Sequence, residues 1–504
     1  MTGGTGQAAT VFGSESRACF EQVLDWLEGN DSAVLSHGEL EDQLECRGRE
    51  LLRRLLQDHL TLRATTEARL AVVADDAGVV HARVEPGHRR VLASVFGQVN
   101  VQRLAYRHRG HRNLHPADGL LNLPLQRHSH GLRRLAAIES SRGSFEQAAA
   151  AITRATGQQV GKRQVEALTA QAAADVEDFY ATRPDTEPAE GDVLVLSADG
   201  KGIVMRPDSL RAATAKAAAA ATTKLATRLS KGEKRNRKRM AEVGAVYDLT
   251  PVPRCPANVL ASDKHQPDPD PPPAPKAKNK WVTASVVDDA AAVIAAIFDQ
   301  AERRDPGHAR TWVALVDGNN HQIDRIRTEA STRGVEVTVL IDLVHVLEYL
   351  WGAAWCFFPE ADPGAEAWVR HRALAILHGH AREVAAGIRR RATTAKLARA
   401  KCRNADQCAK YLVNKARYLD YPSALAAGWP IATGIIEGAC RYLVADRMDI
   451  TGARWSVDGA EAVLKLRAVR ANGDFGAYWR FHLERERQRV HESCYANDVI
   501  PRAA

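Results

Sequence analysis

Between residues 192 and 346 five apolar runs recur, each bounded by glycine, proline or charge: VLVLSADGKG, EVGAVYDLTP, KWVTASVV, TWVALVDG and VEVTVLIDLVHV. Short runs rich in β-branched residues fit the pleated, half-buried surface of a strand. The intervening DAAAVIAAIFDQAERR and NNHQIDRIRTEASTR have helical spacing. Strands followed by alternating helices and strands bury their apolar faces together as a mixed α/β sheet. From Leu347 to about Trp429 the pattern turns helical, and beyond it the core resumes.

Three acids stand out within this frame. Asp199 and Asp317 end the first and fourth runs, and Glu437 opens the amphipathic stretch ATGIIEGACRYLVADRMDITGARW. Taken singly, each has a structural explanation. An Asp-Gly pair makes a turn after a strand, and a glutamate near a helix N-terminus complements the dipole. Together they suggest a metal site. Acids from adjacent strands converge on one sheet edge, and a helix acid can close the cluster. Hard carboxylate oxygens suit Mg²⁺ or Mn²⁺, and two such ions can activate an oxygen nucleophile and stabilise a leaving oxygen of a phosphodiester.

The charge balance agrees with an anionic partner. The chain has 504 residues and a net charge of +8, with its basic residues clustered, which favours nucleic acid. The eight cysteines contain no CxxC pair, so neither a disulfide framework nor a zinc knuckle is indicated. The N-terminus lacks the pattern of a signal peptide, and LVHVLEYLWGAAWCFF is too short to span a bilayer. A cytoplasmic protein with no membrane partner is expected.

The N-terminal third reads as mainly helical. GELEDQLECRGRELLRRLLQDHLTLRA places Leu40, Leu44, Leu51 and Leu55 on one face, as a core helix or a dimerisation helix. RRVLASVFGQVNVQRLAYR reads as a β-hairpin broken at Gly97. His108, His111, His115, His128 and His130 follow among arginines. They read as solvated or phosphate-facing residues in preference to metal ligands. SFEQAAAAITRATGQQVGKRQVEALTAQAAA gives helix, turn, helix, with Ser144 and Gln147 as a capping box. The second helix opens on Lys162, Arg163 and Gln164, where a recognition helix would carry its DNA contacts. A Pro-rich linker is expected over 181–190. The basic run Lys231–Arg239 reads as a loop, either solvated or near phosphate, and KHQPDPDPPPAPKAKNK as a disordered or polyproline excursion.

The motifs SADGKG, WVALVDGNNHQI, VTVLIDLVHVLEYLW and GIIEGACRYLVADRMDITGARWSVDGAEAVLKLRA resemble the DDE transposases of bacterial insertion sequences of the ISKra type. More distantly, they are similar to Mutator-like transposases. The resemblance covers roughly residues 85–475. It implies an RNase H-like mixed-sheet core interrupted by an all-helical insertion, with Asp199, Asp317 and Glu437 as ligands of two Mg²⁺ or Mn²⁺ ions. Asp342 is the rival for the second acid. The resemblance also implies that His345 lies near the scissile phosphate and that Trp351 either stacks on a flipped base or belongs to the core. Lys201, next to Asp199, is expected to contact a phosphate or to be a plain surface lysine. Arg441, four residues after Glu437 and so on the same helix face, is expected to orient that carboxylate or bind phosphate. Arg447, Arg454 and Trp455 are expected in a loop that tracks DNA.

The expected segments are a helical region over 1–80, a hairpin and helix-turn-helix-like region over 81–180, and a first core part over 190–346. The helical insertion covers 347–430, the final core part with Glu437 covers 431–485, and a tail covers 486–504. The activity implied is binding of terminal inverted repeats in double-stranded DNA, hydrolysis at each end and 3′-OH transfer to target DNA by a homodimer or larger assembly. Two rival readings remain: a decayed transposase serving as a DNA-binding regulator on the nucleoid, and an RNase H-like nuclease without strand transfer.

Overall fold

Side chains that satisfy the first-turn N–H groups set the helix starts in the N-terminal part of the chain. Ser36 Oγ accepts from Glu39 N while Glu39 returns a bond to Ser36 N at 2.9 Å, opening the 29-residue helix His37–Thr65. Ser144 and Gln147 make the same reciprocal pair, at 3.1 and 2.8 Å, before Phe145–Thr156. That helix ends at Gly157 in the left-handed conformation (φ 68°), and Lys162–Ala172 follows. The expected helix-turn-helix shape is therefore present.

The computed structural model describes residues 12–184, 192–220, 237–260, 272–396, 398–432, 434–450 and 452–503. Two compact units emerge, residues 1–181 with 474–504, and residues 182–473. The expected 181–190 linker, the run Lys231–Arg239 and the Pro-rich excursion all fall partly outside the described residues. No helix among the described residues is long and apolar enough to cross a membrane.

The first unit contains the hairpin, β1 (Arg83–Ser94) and β2 (Gly97–Arg107), paired antiparallel. Leu60 of the long helix packs with Leu92, Val99, Val101 and Leu123. The expected leucine stripe lies outside that cluster: Leu44 and Leu55 remain 41% and 47% exposed, and Leu40 and Leu51 are half-buried. Residues 474–485, read in the sequence with the final core part, pack in this first unit. Within the helix Phe475–Val490, His482 Nδ1 lies 2.6 Å from Asp175 and Glu486 pairs with the buried Arg133.

The second unit is built on the five β-rich runs. They form β3 (Val193–Val204), β4 (Lys238–Leu249), β5 (Ala277–Ser285), β6 (Trp312–Val316) and β7 (Val337–Ile341). The strand order is β5-β4-β3-β6-β7. The β3–β4 and β4–β5 pairs are antiparallel, and β3–β6 and β6–β7 are parallel. Parallel neighbours need a crossover, and the helix Asn320–Arg333 supplies the one between β6 and β7. The helix Ala290–Arg304 leads from β5 to β6 and packs on β3 and β4. It approaches so closely that a Cβ on Gly244 would lie 2.8 Å from Ile297. The first six residues of β3 and all of β6 are buried, as continuous apolar strands covered on both faces must be.

Two sequence expectations are corrected here. Asp199 does not end its strand: β3 continues to Val204, held by β4 along its whole length. The fifth strand stops at Ile341 instead of running on through His345. The Asp342 side chain accepts from Val344 N at 2.8 Å and caps a new helix, Leu343–Ala354.

The segment expected to be all-helical is helical among the described residues. It comprises Leu343–Ala354, Pro363–Leu377, Ala381–Thr394, Arg399–Lys415 and Tyr421–Ala426. Tyr421 ties it to the sheet by donating to the Ile341 carbonyl at 2.9 Å. The chain then returns as the helix Gly434–Ala439, which packs on β3 and β4, and as Val457–Ala471 against β5. Glu461 of the latter is buried. It accepts from Val286 N (2.8 Å) and Ser285 Oγ (2.9 Å), closing the end of β5.

Candidate active site

Strand register brings the aspartates together. Leu196 of β3 pairs with Ala314 of β6, and Val316 of β6 with Ile341 of β7. The same offsets carried onward set Asp199 beside Asp317, and Asp317 beside Asp342. The last step is supported by Asp342 N donating to Val316 O at 2.8 Å. The parallel register of β3, β6 and β7 thus sets three aspartates level with one another, at the ends of β6 and β7 and within β3.

Their surroundings differ. Asp199 and Asp317 are half-buried and line a common cavity of about 640 Å³ with Arg211, Lys238, Arg239 and Glu242. Asp317 Oδ1 accepts from Asn319 N at 2.7 Å, and its carbonyl accepts from Tyr411 OH at 3.0 Å. Asp342 is only 2% exposed and is engaged in its helix cap. Of the two rivals for the second acid, Asp317 is the one that shares a cavity with Asp199.

Glu437 lies on the short helix Gly434–Ala439, exposed, and outside the lining of that cavity. It is linked to Asp199 through Cys440, whose thiol donates to Asp199 Oδ2 at 3.3 Å. Burial pushes the Cys440 thiol pKa up, and the charges of Asp199 and Glu437 add to the rise. The thiol therefore stays protonated and remains a donor. Among the described residues, the acid and histidine groups that converge within ligand distance do not include Asp199, Asp317 and Glu437 as a set.

Glu242 is a further acid here, missed by the sequence reading. It stands on β4 opposite Gly200. Burial raises its carboxyl pKa, and the negative charge of Asp199 raises it further. The crowding of like charge is what a divalent cation would relieve. Only the antiparallel register of β3 and β4 reveals Glu242, because nothing in EVGAVYDL marks its acid as special. Asp289, the N-cap of Ala290–Arg304, lines the same cavity. Lys238 and Arg239, expected in a loop, instead open β4 and line the cavity, while Lys231 to Asn236 lie outside the described residues.

The remaining expected residues separate into those at the surface and those in the core. Lys201 is exposed on β3 and its charge reaches Cys440. His345 is half-buried, with Nδ1 3.2 Å from Glu348. Trp351 is half-buried and stacks on exposed Trp355 at 5.2 Å. Arg454 is exposed, as are Lys162, Arg163 and Gln164. Gln164 Oε1 accepts from Gly161 N at 3.1 Å, so it caps its own helix.

The expected DNA-tracking loop is corrected for two residues. Arg447 and Trp455 are buried, at 2% and 5% exposure, with the guanidinium 4.6 Å from the ring centroid. Trp455 also exchanges backbone hydrogen bonds with Val204 and Arg206, and its indole donates to Met448 O. The expected pairing of Arg441 with Glu437 is also corrected. The backbone turns π-helical over Cys440–Ala445, which shifts the phase of the i,i+4 face. Arg441 lies instead 3.7 Å from Asp446.

Neither the protein-family models nor the curated proteins contain a match to this chain.

Proposed function

We propose that this chain is a DDE transposase with an RNase H-like catalytic core, acting on double-stranded DNA through Asp199, Asp317 and Glu437. One observation carries the reading. Asp199 and Asp317 come from adjacent parallel strands in step and line one cavity with Arg211, Lys238 and Arg239. The strand order, with three antiparallel strands followed by two parallel ones and a helical block before the last acid, supports the same core.

The residues fit Mg²⁺ or Mn²⁺. The donors are hard carboxylate oxygens, and Glu242 and Asp199 crowd negative charge that a cation would offset. Asp199 and Asp317 would hold the ions, with Glu437 completing the set and Glu242 adjoining it. Bound there, the ions supply water activation and charge neutralisation. The chain supplies the rest. Arg211, Lys238 and Arg239 attract the phosphodiester into the cavity, and a guanidinium matches a phosphate in bidentate fashion. Cys440 orients Asp199, while Asn319 N and Tyr411 hold the Asp317 segment. Lys162 and Arg163, exposed at the start of their helix, would meet DNA phosphates or bases. Joining two element ends calls for two copies of the chain.

The test is cleavage and joining of DNA carrying the ends that flank the gene, with Mg²⁺ or Mn²⁺. Wild type is expected to nick and join, and Asp199→Asn, Asp317→Asn and Glu437→Gln to bind DNA without cutting. Cutting without joining of pre-cut ends would leave a nuclease. Tight binding by an inert wild type would refute the enzyme.

A further inference from the structure

A second cluster of metal-ligating groups lies in the first unit, unconnected with the carboxylate chemistry above. Two tight loops build it. The segment Val73–His81 turns back on itself, with His81 N donating to Val73 O at 2.8 Å and Gly78 N to Asp75 O at 2.9 Å. Gly78 permits the turn at φ 78°. After β2 the chain loops again and is closed by the reciprocal bonds of Tyr106 and Leu114, both 2.9 Å. This second loop, RHRGHRN, carries His108 and His111.

The side chains of the two loops converge. Asp75 Oδ2 lies 3.2 Å from His81 Nε2 and 2.9 Å from His111 Nδ1. The other carboxylate oxygen is already occupied by Val79 N (2.8 Å) and Ala77 N (3.1 Å). Asp75 and His81 are buried, at 4% and 1% exposure. The ligand atoms of Asp75, His81 and His111 all lie within 4.8 Å of one another. The His108 ring stands 5.1 Å from that of His111 and 6.0 Å from that of His81.

The far side of the ring is already engaged. His81 Nδ1 is 3.2 Å from the Tyr106 carbonyl, which can only accept, so Nδ1 is the donor there. Its Nε2 is turned to the Asp75 carboxylate in a buried setting. A backbone carbonyl on the far ring nitrogen is the usual outer partner of a histidine ligand. His108 is prepared in the same way, with Nδ1 3.0 Å from Val80 O and Nε2 left over. The separations of 2.9 and 3.2 Å are near the edge, roughly 3.3 Å, of a tetrahedron with bonds of about 2.0 Å.

We propose that Asp75, His81 and His111 bind a zinc-class divalent cation, with the His108 ring alongside, as a clip joining the turn before the hairpin to the loop after it. Imidazole with one carboxylate suits zinc and its borderline neighbours rather than Mg²⁺. The clip fixes a loop whose exposed Arg109 and Arg112 flank His111. The sequence reading set loop histidines aside as ligands. It could not see that Asp75 and His81, from another loop, would meet one of them.

The experiment uses full-length protein with Asp199→Asn and Asp317→Asn introduced, so that binding at the carboxylate site does not count. Zinc content after dialysis against excess Mg²⁺, and the visible spectrum on titration with Co²⁺, are the readouts. One equivalent of zinc and a tetrahedral Co²⁺ band are expected. His111→Gln, at an exposed position that leaves the fold intact, should weaken binding at least 100-fold. It should also abolish the rise in Tm that zinc gives the parent. His81→Ala serves as a second variant if it folds. Absence of stoichiometric metal in the parent would overturn the proposal, as would zinc binding that His111→Gln leaves unchanged.

Discussion

Asp317→Asn and Asp342→Asn form a pair whose outcomes the geometry separates. Asn keeps the shape of each side chain and its role as acceptor. At position 342 it continues to cap the helix, since Asn and Asp are nearly equal as N-caps. The cap is therefore kept, and the acid, 2% exposed, is not among the residues that line the cavity. At position 317 the acceptor for Asn319 N (2.7 Å) is likewise kept, but a negative charge on the wall of the cavity disappears. A unit charge about 4 Å from another interacts with roughly 4 kcal/mol at an effective dielectric near 20. Loss of that attraction for a divalent cation is worth on the order of a thousandfold in rate at limiting metal. The assay is strand cleavage over a range of Mn²⁺ concentrations, with a thermal melt of each variant as control. Asp317→Asn should fall by about that factor with an unchanged Tm, and Asp342→Asn should stay within a few-fold of wild type. Full activity in Asp317→Asn with an inert, folded Asp342→Asn would refute the assignment of the second acid.

Other perturbations test the surrounding structure. Glu242→Gln should raise the Mn²⁺ concentration needed for half-maximal cleavage about tenfold, with recovery at high metal; an unchanged metal dependence would remove Glu242 from the site. Glu461→Ala strands Val286 N and Ser285 Oγ at the end of β5 and should cost about 2–4 kcal/mol, read as a lower denaturation midpoint. Asp175 is held at a pKa of about 2, below its ordinary 3.8: burial alone would raise it, but His482 and Arg489 outweigh burial. A depressed folded-state pKa contributes stability that is complete above about pH 4 and is lost as pH falls through 2, here roughly 2 kcal/mol. Asp175→Asn should therefore lie below wild type in urea stability at pH 7 and converge with it near pH 2.

Much of the second unit was legible along the chain. The five β-rich runs became five strands, and the capping pair Ser144 and Gln147 formed as spaced. Such features are local: a strand needs its own alternation or apolar run, and a cap needs two residues three apart. Errors gathered where a distant partner decides. Asp199 looked like a strand end because Gly200 follows it, yet β4 pairs with β3 through to Val204. Arg447 and Trp455 looked like a basic loop with an aromatic, yet the ring packs under the guanidinium and the backbone joins β3. The π-turn after Ala439 broke the helical spacing that put Arg441 beside Glu437.

The sequence by itself determined the kinds of element, their order, and the acids Asp199 and Asp317 at the tips of apolar runs. Propensity, periodicity and turn chemistry act within a few residues, so they can be read without a fold. Only the tertiary structure decided which acids face one cavity, that Glu242 joins them, and that Asp342 spends its carboxylate on a cap. It alone brought Asp75 and His81 to His111. Register and loop convergence come from pairing across long stretches of chain, and no single stretch records its partner.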